Sequence, residues 1–373
     1  MQVKIHIAMK KILYVASRIS HLNNFHIDYI KYFKSKGYEI HIMCQGRNIN
    51  TKVDRIYDIE FEKNLISVKN INKIICIKSI LEKEKYDLIV TNTTLAAFMV
   101  RIAKQISGLK NHGKLINICH GYLFSKNTPF IKKHAYILAE KLCVPSTNRL
   151  LTMNKEDNEL AKKYHLCKGD IVNINGMGIQ KPPNIDRNVR KQIREKYSIK
   201  DNEILMVYAG ELSKRKNQQF LIESMPKILE KFQNIKLVLA GNGILYDDYK
   251  KMIKMLSLTN DVILAGYVNE IEKLIYSADI AISSSKSEGL PFNIMQAMSL
   301  KTPVIASNIK GHKDLIKNGY NGYLFDFDQD ELISKIRLLL NSKDKISENG
   351  FESVQKYYLS SVFDENIRFL NIL

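Results

Sequence analysis

Short runs of Ile, Val and Leu recur along the chain, separated by longer segments whose apolar residues return every three or four positions. An unbroken apolar run of four to six residues reads as a strand buried on both faces of a parallel sheet, and the periodic segments read as amphipathic helices. The pattern predicts strands near 11–16, 38–44, 87–91, 114–119, 149–152 and 171–174, with helices near 22–36, 69–84, 93–107, 128–143 and 155–164. Asn175-Gly176-Met177-Gly178-Ile179 then runs into Gln180-Lys181-Pro182-Pro183-Asn184, where glycines and adjacent prolines break regular structure and mark a linker. A second alternation follows, with strands near 204–209, 236–240, 262–265, 279–284, 303–306 and 323–325. Its helices fall near 187–196, 217–232, 244–257, 269–276, 292–300, 311–317 and 328–341. Two such alternations predict an α/β chain of two doubly wound, Rossmann-like domains, 1–178 and 179–373, facing a central cleft.

Length agrees, because 373 residues exceed one typical core and suit two domains of roughly 150–200 residues each. The five cysteines are odd in number, widely spaced and without a Cys-x-x-Cys pair, which points to neither a disulfide framework nor a zinc site and fits a reducing cytoplasm. No segment approaches the roughly 18–20 uninterrupted apolar residues of a membrane span, and residues 1–10 are too short in their apolar part for a signal peptide. The expectation is a chain neither secreted nor integral to a membrane.

Charge is unevenly placed. The net charge is +19, and residues 1–178 hold 29 Lys and Arg against 14 Asp and Glu, whereas residues 179–373 hold 28 against 24. Residues 101–150 carry nine basic residues, Lys110 among them, and one acid, Glu140. The first half therefore expects an anionic partner, whether nucleic acid, an anionic membrane surface or a polyanionic acceptor, or else carries on a solvated surface the compositional bias of a chain rich in Lys, Ile and Asn.

The most informative stretch is residues 285–298, Ser-Lys-Ser-Glu-Gly-Leu-Pro-Phe-Asn-Ile-Met-Gln-Ala-Met. It joins a carboxylate expected to be exposed, Glu288, and a tight glycine turn at Gly289 to a helix whose start is suited by Pro291 and whose free N–H groups face the loop. The place is the carboxyl end of a strand, where doubly wound sheets bind ligands. The stretch resembles the donor-sugar signature of family 4 of the retaining GT-B glycosyltransferases, in which a Glu, a Gly and a second Glu share this spacing. Here the second Glu is Gln296.

That resemblance covers nearly the whole chain and is strongest over 204–325. It implies that Glu288 hydrogen-bonds sugar hydroxyls, that the backbone from Gly289 through Leu290, Pro291, Phe292 and Asn293 meets sugar and phosphate, and that position 296 grips the ribose diol. Upstream, Ala209-Gly210-Glu211-Leu212-Ser213-Lys214-Arg215-Lys216 is a strand running into a cationic turn. Lys216 matches a phosphate-gripping Lys of the family, Glu211 stands where the family has Arg, and Arg215 is the candidate to replace that charge. In the first half, Ile118-Cys119-His120-Gly121-Tyr122 is similar to a His-Gly-aromatic segment of capsule and exopolysaccharide members, where it faces acceptor and sugar. His21 and His26 are open to an acceptor contact or to a capping and loop role, and His312 to the cleft or to a helix start.

The resemblance implies a cytoplasmic, peripheral enzyme of the inner membrane face, with an N-terminal acceptor-binding and a C-terminal nucleotide-sugar-binding domain. It would move a sugar, with retention, from a UDP-linked donor to a polyprenyl-diphosphate-linked saccharide in capsule, exopolysaccharide or O-antigen synthesis. Glu288 and His120 are the expected catalytic residues; Arg215, Lys216, Gly289, Leu290, Pro291, Phe292, Asn293 and Gln296 are the expected donor-binding residues. No Asp-x-Asp metal site is seen, so neither metal nor cofactor is expected, and an anionic bilayer rather than nucleic acid is the expected partner of the basic half. The alternatives are a nucleotide-sugar 2-epimerase, disfavoured because a basic acceptor face has no use there, and a non-catalytic partner subunit of another transferase, to which Gln296 and Glu211 would point.

Overall fold

The computed structural model describes residues 10–61, 68–109 and 112–371. Residues 1–9, which carried the expectation about a signal peptide, and Lys110 lie outside the described residues. The chain divides into two compact units, Met1–Gly178 with Val362–Leu373, and Ile179–Ser361.

The first unit contains β1 (Lys11–Arg18), α1 (Ile19–Phe25), α2 (Ile27–Ser35), β2 (Glu39–Gln45), β3 (Arg55–Asp58), α3 (Val68–Glu84), β4 (Leu88–Asn92), α4 (Thr94–Ile106), β5 (Lys114–Cys119), α5 (Phe130–Cys143), β6 (Arg149–Thr152), α6 (Lys155–Lys163) and β7 (Asp170–Asn173). Its sheet runs β3-β2-β1-β4-β5-β6-β7 with parallel pairings. The second unit contains α7 (Asn188–Lys196), β8 (Ile204–Ala209), α8 (Gln218–Lys231), β9 (Ile235–Ala240), α9 (Tyr246–Met255), β10 (Val262–Gly266), α10 (Ile271–Tyr276), β11 (Ile280–Ser283), α11 (Phe292–Ser299), β12 (Val304–Ser307), α12 (His312–Leu315), β13 (Tyr323–Phe325), α13 (Gln329–Asn341) and α14 (Lys343–Val354), and α15 (Leu359–Leu370) closes the chain. Its sheet order is β10-β9-β8-β11-β12-β13, again parallel.

Both sheets are buried on two faces, which is why the strands read as continuous apolar runs. In β8, Leu205 and Val207 enter one core with Met295, Met298 and Val304. Met206 and Tyr208 enter the opposite core with Ile222, Leu237 and Ile336. The strand order reverses direction between β1 and β4 and between β8 and β11. At each reversal the outgoing connections diverge to opposite faces, leaving a crevice beyond the strand ends.

Several elements differ from the sequence pattern. The expected helix 22–36 is two helices, α1 and α2, broken at His26, whose backbone (φ −125°, ψ −5°) is not helical. The strand β3 was not expected, because Arg-Ile-Tyr-Asp is short, half polar and at the sheet edge. The expected helix 311–317 shrinks to four residues behind Gly311. The last helices, α14 and α15, were also missed, and the domain expected to run to residue 373 does not. Val362–Leu373 belongs to the first unit, where Phe363 stacks on Tyr29, Asn366 Nδ2 donates to Tyr29 Oη and Gly176 O, and Arg149 donates to Phe369 O. Among the described residues no helix is long and apolar enough to cross a membrane.

Candidate functional site

In the second unit the crevice lies between the carboxyl ends of β8 and β11. The segment after β8 carries Arg215 and Lys216; the loop after β11 carries Glu288. All three meet: Lys216 Nζ is 2.7 Å from Glu288 Oε1 and Arg215 Nη1 is 2.8 Å from Oε2. The Glu288 side chain, expected to be exposed, is only 9% exposed because the two cations and the loop cover it; that of Lys216 is 12% exposed, whereas Arg215 is half exposed at 48%. Burial pushes the Glu288 carboxyl up, but the charges of Lys216 and Arg215, with hydrogen bonds from Lys216 and Ser285, outweigh it and hold it at about 2. The group is a carboxylate throughout the neutral range.

A buried hydroxyl network fixes this loop. Ser285 Oγ donates to Glu288 Oε1 at 2.7 Å, and Tyr208 Oη lies 2.7 Å from Ser285 Oγ and 2.9 Å from Lys216 O, with one proton to share between them. One hydroxyl chain therefore ties the cationic turn to the carboxylate loop from beneath. Backbone bonds add to it: Lys286 N donates to Arg215 O, and Arg215 Nη1 to Ser287 O. Gly311 (φ +81°) begins α12 so close to the loop that an added Cβ would lie 2.6 Å from Gly289 O, which explains why only glycine serves there.

His312 is fully buried beneath the loop. Its Nε2 faces Ser283 Oγ at 3.3 Å and its Nδ1 donates to Ser307 O at 2.7 Å. Burial lowers its pKa to about 4, against the pull of Glu288. Of its two expected places, cleft or helix start, it takes neither cleanly: it starts α12 but serves as a buried brace.

The rest of 289–296 divides its work. Pro291 sits at the N-cap of α11, just outside the helix, and Leu290 and Phe292 pack against the core. Asn293 Nδ2 donates to Ala209 O at 3.0 Å, and its buried Oδ1 has no hydrogen-bond partner. Gln296 does not touch Glu288. Its Nε2 donates to Glu272 Oε1 on α10 at 3.1 Å, so a carboxylate stands beside position 296 after all. Glu211 is exposed. Sequence reasoning missed Tyr208, Ser285, Gly311 and Glu272. Only the run Ser283-Ser284-Ser285, polar residues ending a buried strand, was a signal that could have found part of the network.

The first unit has its own crevice between β1 and β4. His120 directly follows β5, with its Nε2 3.1 Å from His21 Nε2 and 3.2 Å from Asn92 Oδ1. Burial and then the neighbouring His21 and His26 hold its pKa well below the ordinary value. His120 is therefore a neutral imidazole.

Known proteins identify the family. Residues 11–153 match the glycosyl transferase 4-like family and residues 189–353 match glycosyl transferases group 1. The Bacillus subtilis (strain 168) protein EpsD, which bears a glycosyltransferase name, is 30% identical over 84% of this chain and 83% of its own. The Escherichia coli UDP-Gal:alpha-D-GlcNAc-diphosphoundecaprenol alpha-1,3-galactosyltransferase is 27% identical over 75% of this chain and 73% of its own. Among solved structures, Anabaena Alr3699/HepE in complex with UDP-glucose superimposes with a TM-score of 0.77 at 16% identity, covering 97% of this chain and all of that one. The fold is GT-B. The chain belongs to the group 1 glycosyltransferases, a retaining, metal-independent family whose members take their sugar from a nucleotide.

Proposed function

We propose that the protein transfers a sugar from UDP to a saccharide carried on polyprenyl diphosphate, as a step in capsule, exopolysaccharide or O-antigen synthesis. The observation that carries this proposal is the convergence of Lys216, Arg215 and Glu288 at the β8–β11 crevice. A diphosphate offers the two cations a more highly charged partner than one carboxylate. On binding it takes their charge, and Glu288 is released to accept hydrogen bonds from the sugar. The N–H groups opening α11 add a positive field at the same place, and the orphaned Asn293 Oδ1 is an acceptor awaiting a donor.

The chemistry follows from these charges. The bond from the anomeric carbon to the diphosphate oxygen breaks, and the acceptor hydroxyl forms its bond on the same face, which preserves configuration. The acceptor proton passes to the departing diphosphate oxygen. Lys216 and Arg215 neutralise the charge that grows on the leaving group, and fixed groups of this kind supply most of the barrier reduction without moving. His120, neutral at the end of β5, is assigned to acceptor and sugar. Gln296 and the adjacent Glu272 are assigned to the ribose. In this scheme the first unit takes the acceptor and the second the donor.

UDP as the nucleotide and a diphosphate-linked lipid as the acceptor are supported by HepE and by the Escherichia coli enzyme, whose names carry them. A membrane-facing acceptor unit is supported by α5. Phe130, Ile131, Leu138 and Leu142 on this helix are 74, 84, 61 and 52% exposed beside Lys132, Lys133 and Lys141. Ile137 of the same helix is buried. Incubating the protein with a panel of UDP-sugars and a short-chain polyprenyl-diphosphate saccharide tests the assignment. A lengthened lipid product with retained anomeric configuration is expected; no product and no slow donor hydrolysis with any donor would refute it.

A further inference from the structure

Three histidines converge in the first unit. His21 lies on α1, His26 at the break between α1 and α2, and His120 at the end of β5, and one ring nitrogen from each lies within 4.8 Å of the others. The Nε2 atoms of His21 and His120 are 3.1 Å apart, close to the edge of about 3.3 Å set by two nitrogens 2.0–2.1 Å from one tetrahedral zinc ion. His26 is fully buried; the Asn92 side chain lies against it, but neither ring nitrogen makes a hydrogen bond of good geometry. A buried polar group left in that state is costly unless something else meets it.

We propose that His21, His26 and His120 form a tridentate site for Zn2+. Three imidazoles with no carboxylate or thiolate among them suit a borderline transition ion, not Mg2+ or Ca2+, which take oxygen ligands. Asn92 Oδ1, 3.2 Å from His120 Nε2, has its amide turned by donation to Val15 O. It offers an oxygen beside the fourth position, which a water or hydroxide completes. His120 must then carry its proton on Nδ1, and its bond to Asn92 is exchanged for the metal.

The site stands on ring geometry alone. Its consequence rests on the transferase assignment of His120: an ion there occupies the ring that faces the acceptor, so Zn2+ acts as a brake rather than a cofactor.

The test uses the full chain, stripped with EDTA and carrying Cys76→Ser throughout, because Cys76 is an exposed thiol. Calorimetric titration should show one tight Zn2+ per chain, and Co2+ should give the intense visible absorption of a four-coordinate ion. His21→Gln and His26→Asn should each weaken Zn2+ at least tenfold. Circular dichroism checks that each is folded, and His21→Gln, at the partly exposed ring, serves if the buried variant does not fold. Absent binding, or binding unchanged by His21→Gln in a folded protein, would overturn the site. With the site established, sugar transfer should fall in step with occupancy and return on chelation; full activity at full occupancy would overturn the brake alone.

Discussion

Lys216 Nζ meets Glu288 Oε1 at 2.7 Å, and this contact joins the ends of β8 and β11 across the crevice where the second sheet changes direction. Neither residue is placed by its neighbours in sequence alone. The contact exists because the two strands pair in parallel and because Tyr208 and Ser285 hold the two turns together from below.

Removing either side of this contact should disable transfer by orders of magnitude: Lys216→Ala through the diphosphate, Glu288→Ala through the sugar. Lys216→Ala also leaves a largely buried carboxylate with the half-exposed Arg215 as its one remaining cation beside the Ser285 hydroxyl, so a loss of about 1–3 kcal/mol of stability is expected. The double variant should lose less than the sum of the single ones. Steady-state turnover and denaturant unfolding measure both effects, and near-native turnover in both single variants would remove the site assignment.

Acid should destabilise the second unit in two separate windows. His312 is held neutral with a pKa near 4, below its value of about 6.5 in the unfolded chain. The unfolded state therefore binds more protons as pH falls from 6.5 to 4, and stability is lost there. Glu288, held at about 2, contributes stability above pH 4.5 that is lost between 4.5 and 2, about 3 kcal/mol. Unfolding followed against pH should lose the upper slope in His312→Gln and the lower one in Glu288→Gln. Identical slopes in wild type and variants would exclude both terms.

Gln296→Glu, attractive from the sequence because it restores a carboxylate, now has an obstacle. The new carboxylate would face Glu272 at about the 3.1 Å of the present hydrogen bond, and like charges so close raise one pKa or push the helices apart. The single variant should therefore bind UDP no better than wild type. Gln296→Glu with Glu272→Gln exchanges the pair and should recover or improve affinity. A tighter single variant would show that the two side chains do not meet in solution.

Sequence legibility followed locality. Glu288, Gly289 and Lys216 were visible because strand, turn and helix start are local signals, and the alternation of apolar runs revealed both sheets. Glu272 stayed hidden because its meeting with Gln296 is made by the packing of α10 on α11. Helix α14 was lost to Asn349-Gly350, which reads as a turn; its buried Gly350 sits against Met298 of α11, where close packing outweighs the roughly 1 kcal/mol that glycine costs in a helix. His312 was misjudged because sequence does not show that its ring turns inward.

The basic, apolar-edged α5 should bind anionic vesicles, each lysine near the surface contributing about 1 kcal/mol. Sedimentation with anionic liposomes should fall with salt, and Lys132→Glu, Lys133→Glu and Lys141→Glu together should abolish it without altering UDP affinity. Equal binding to neutral and anionic liposomes, or none to either at low salt, would leave the lysines as surface charge only.

The β8–β11 crevice is assigned to the nucleotide diphosphate of the donor, held through Lys216 and Arg215. Calorimetric titration of UDP into wild type, Lys216→Met and Arg215→Met tests it without needing the acceptor or the sugar. Saturable binding to wild type, weakened at least tenfold by Lys216→Met and less by the more exposed Arg215→Met, is the expected result. No binding to wild type, or equal binding to all three folded proteins, would contradict it.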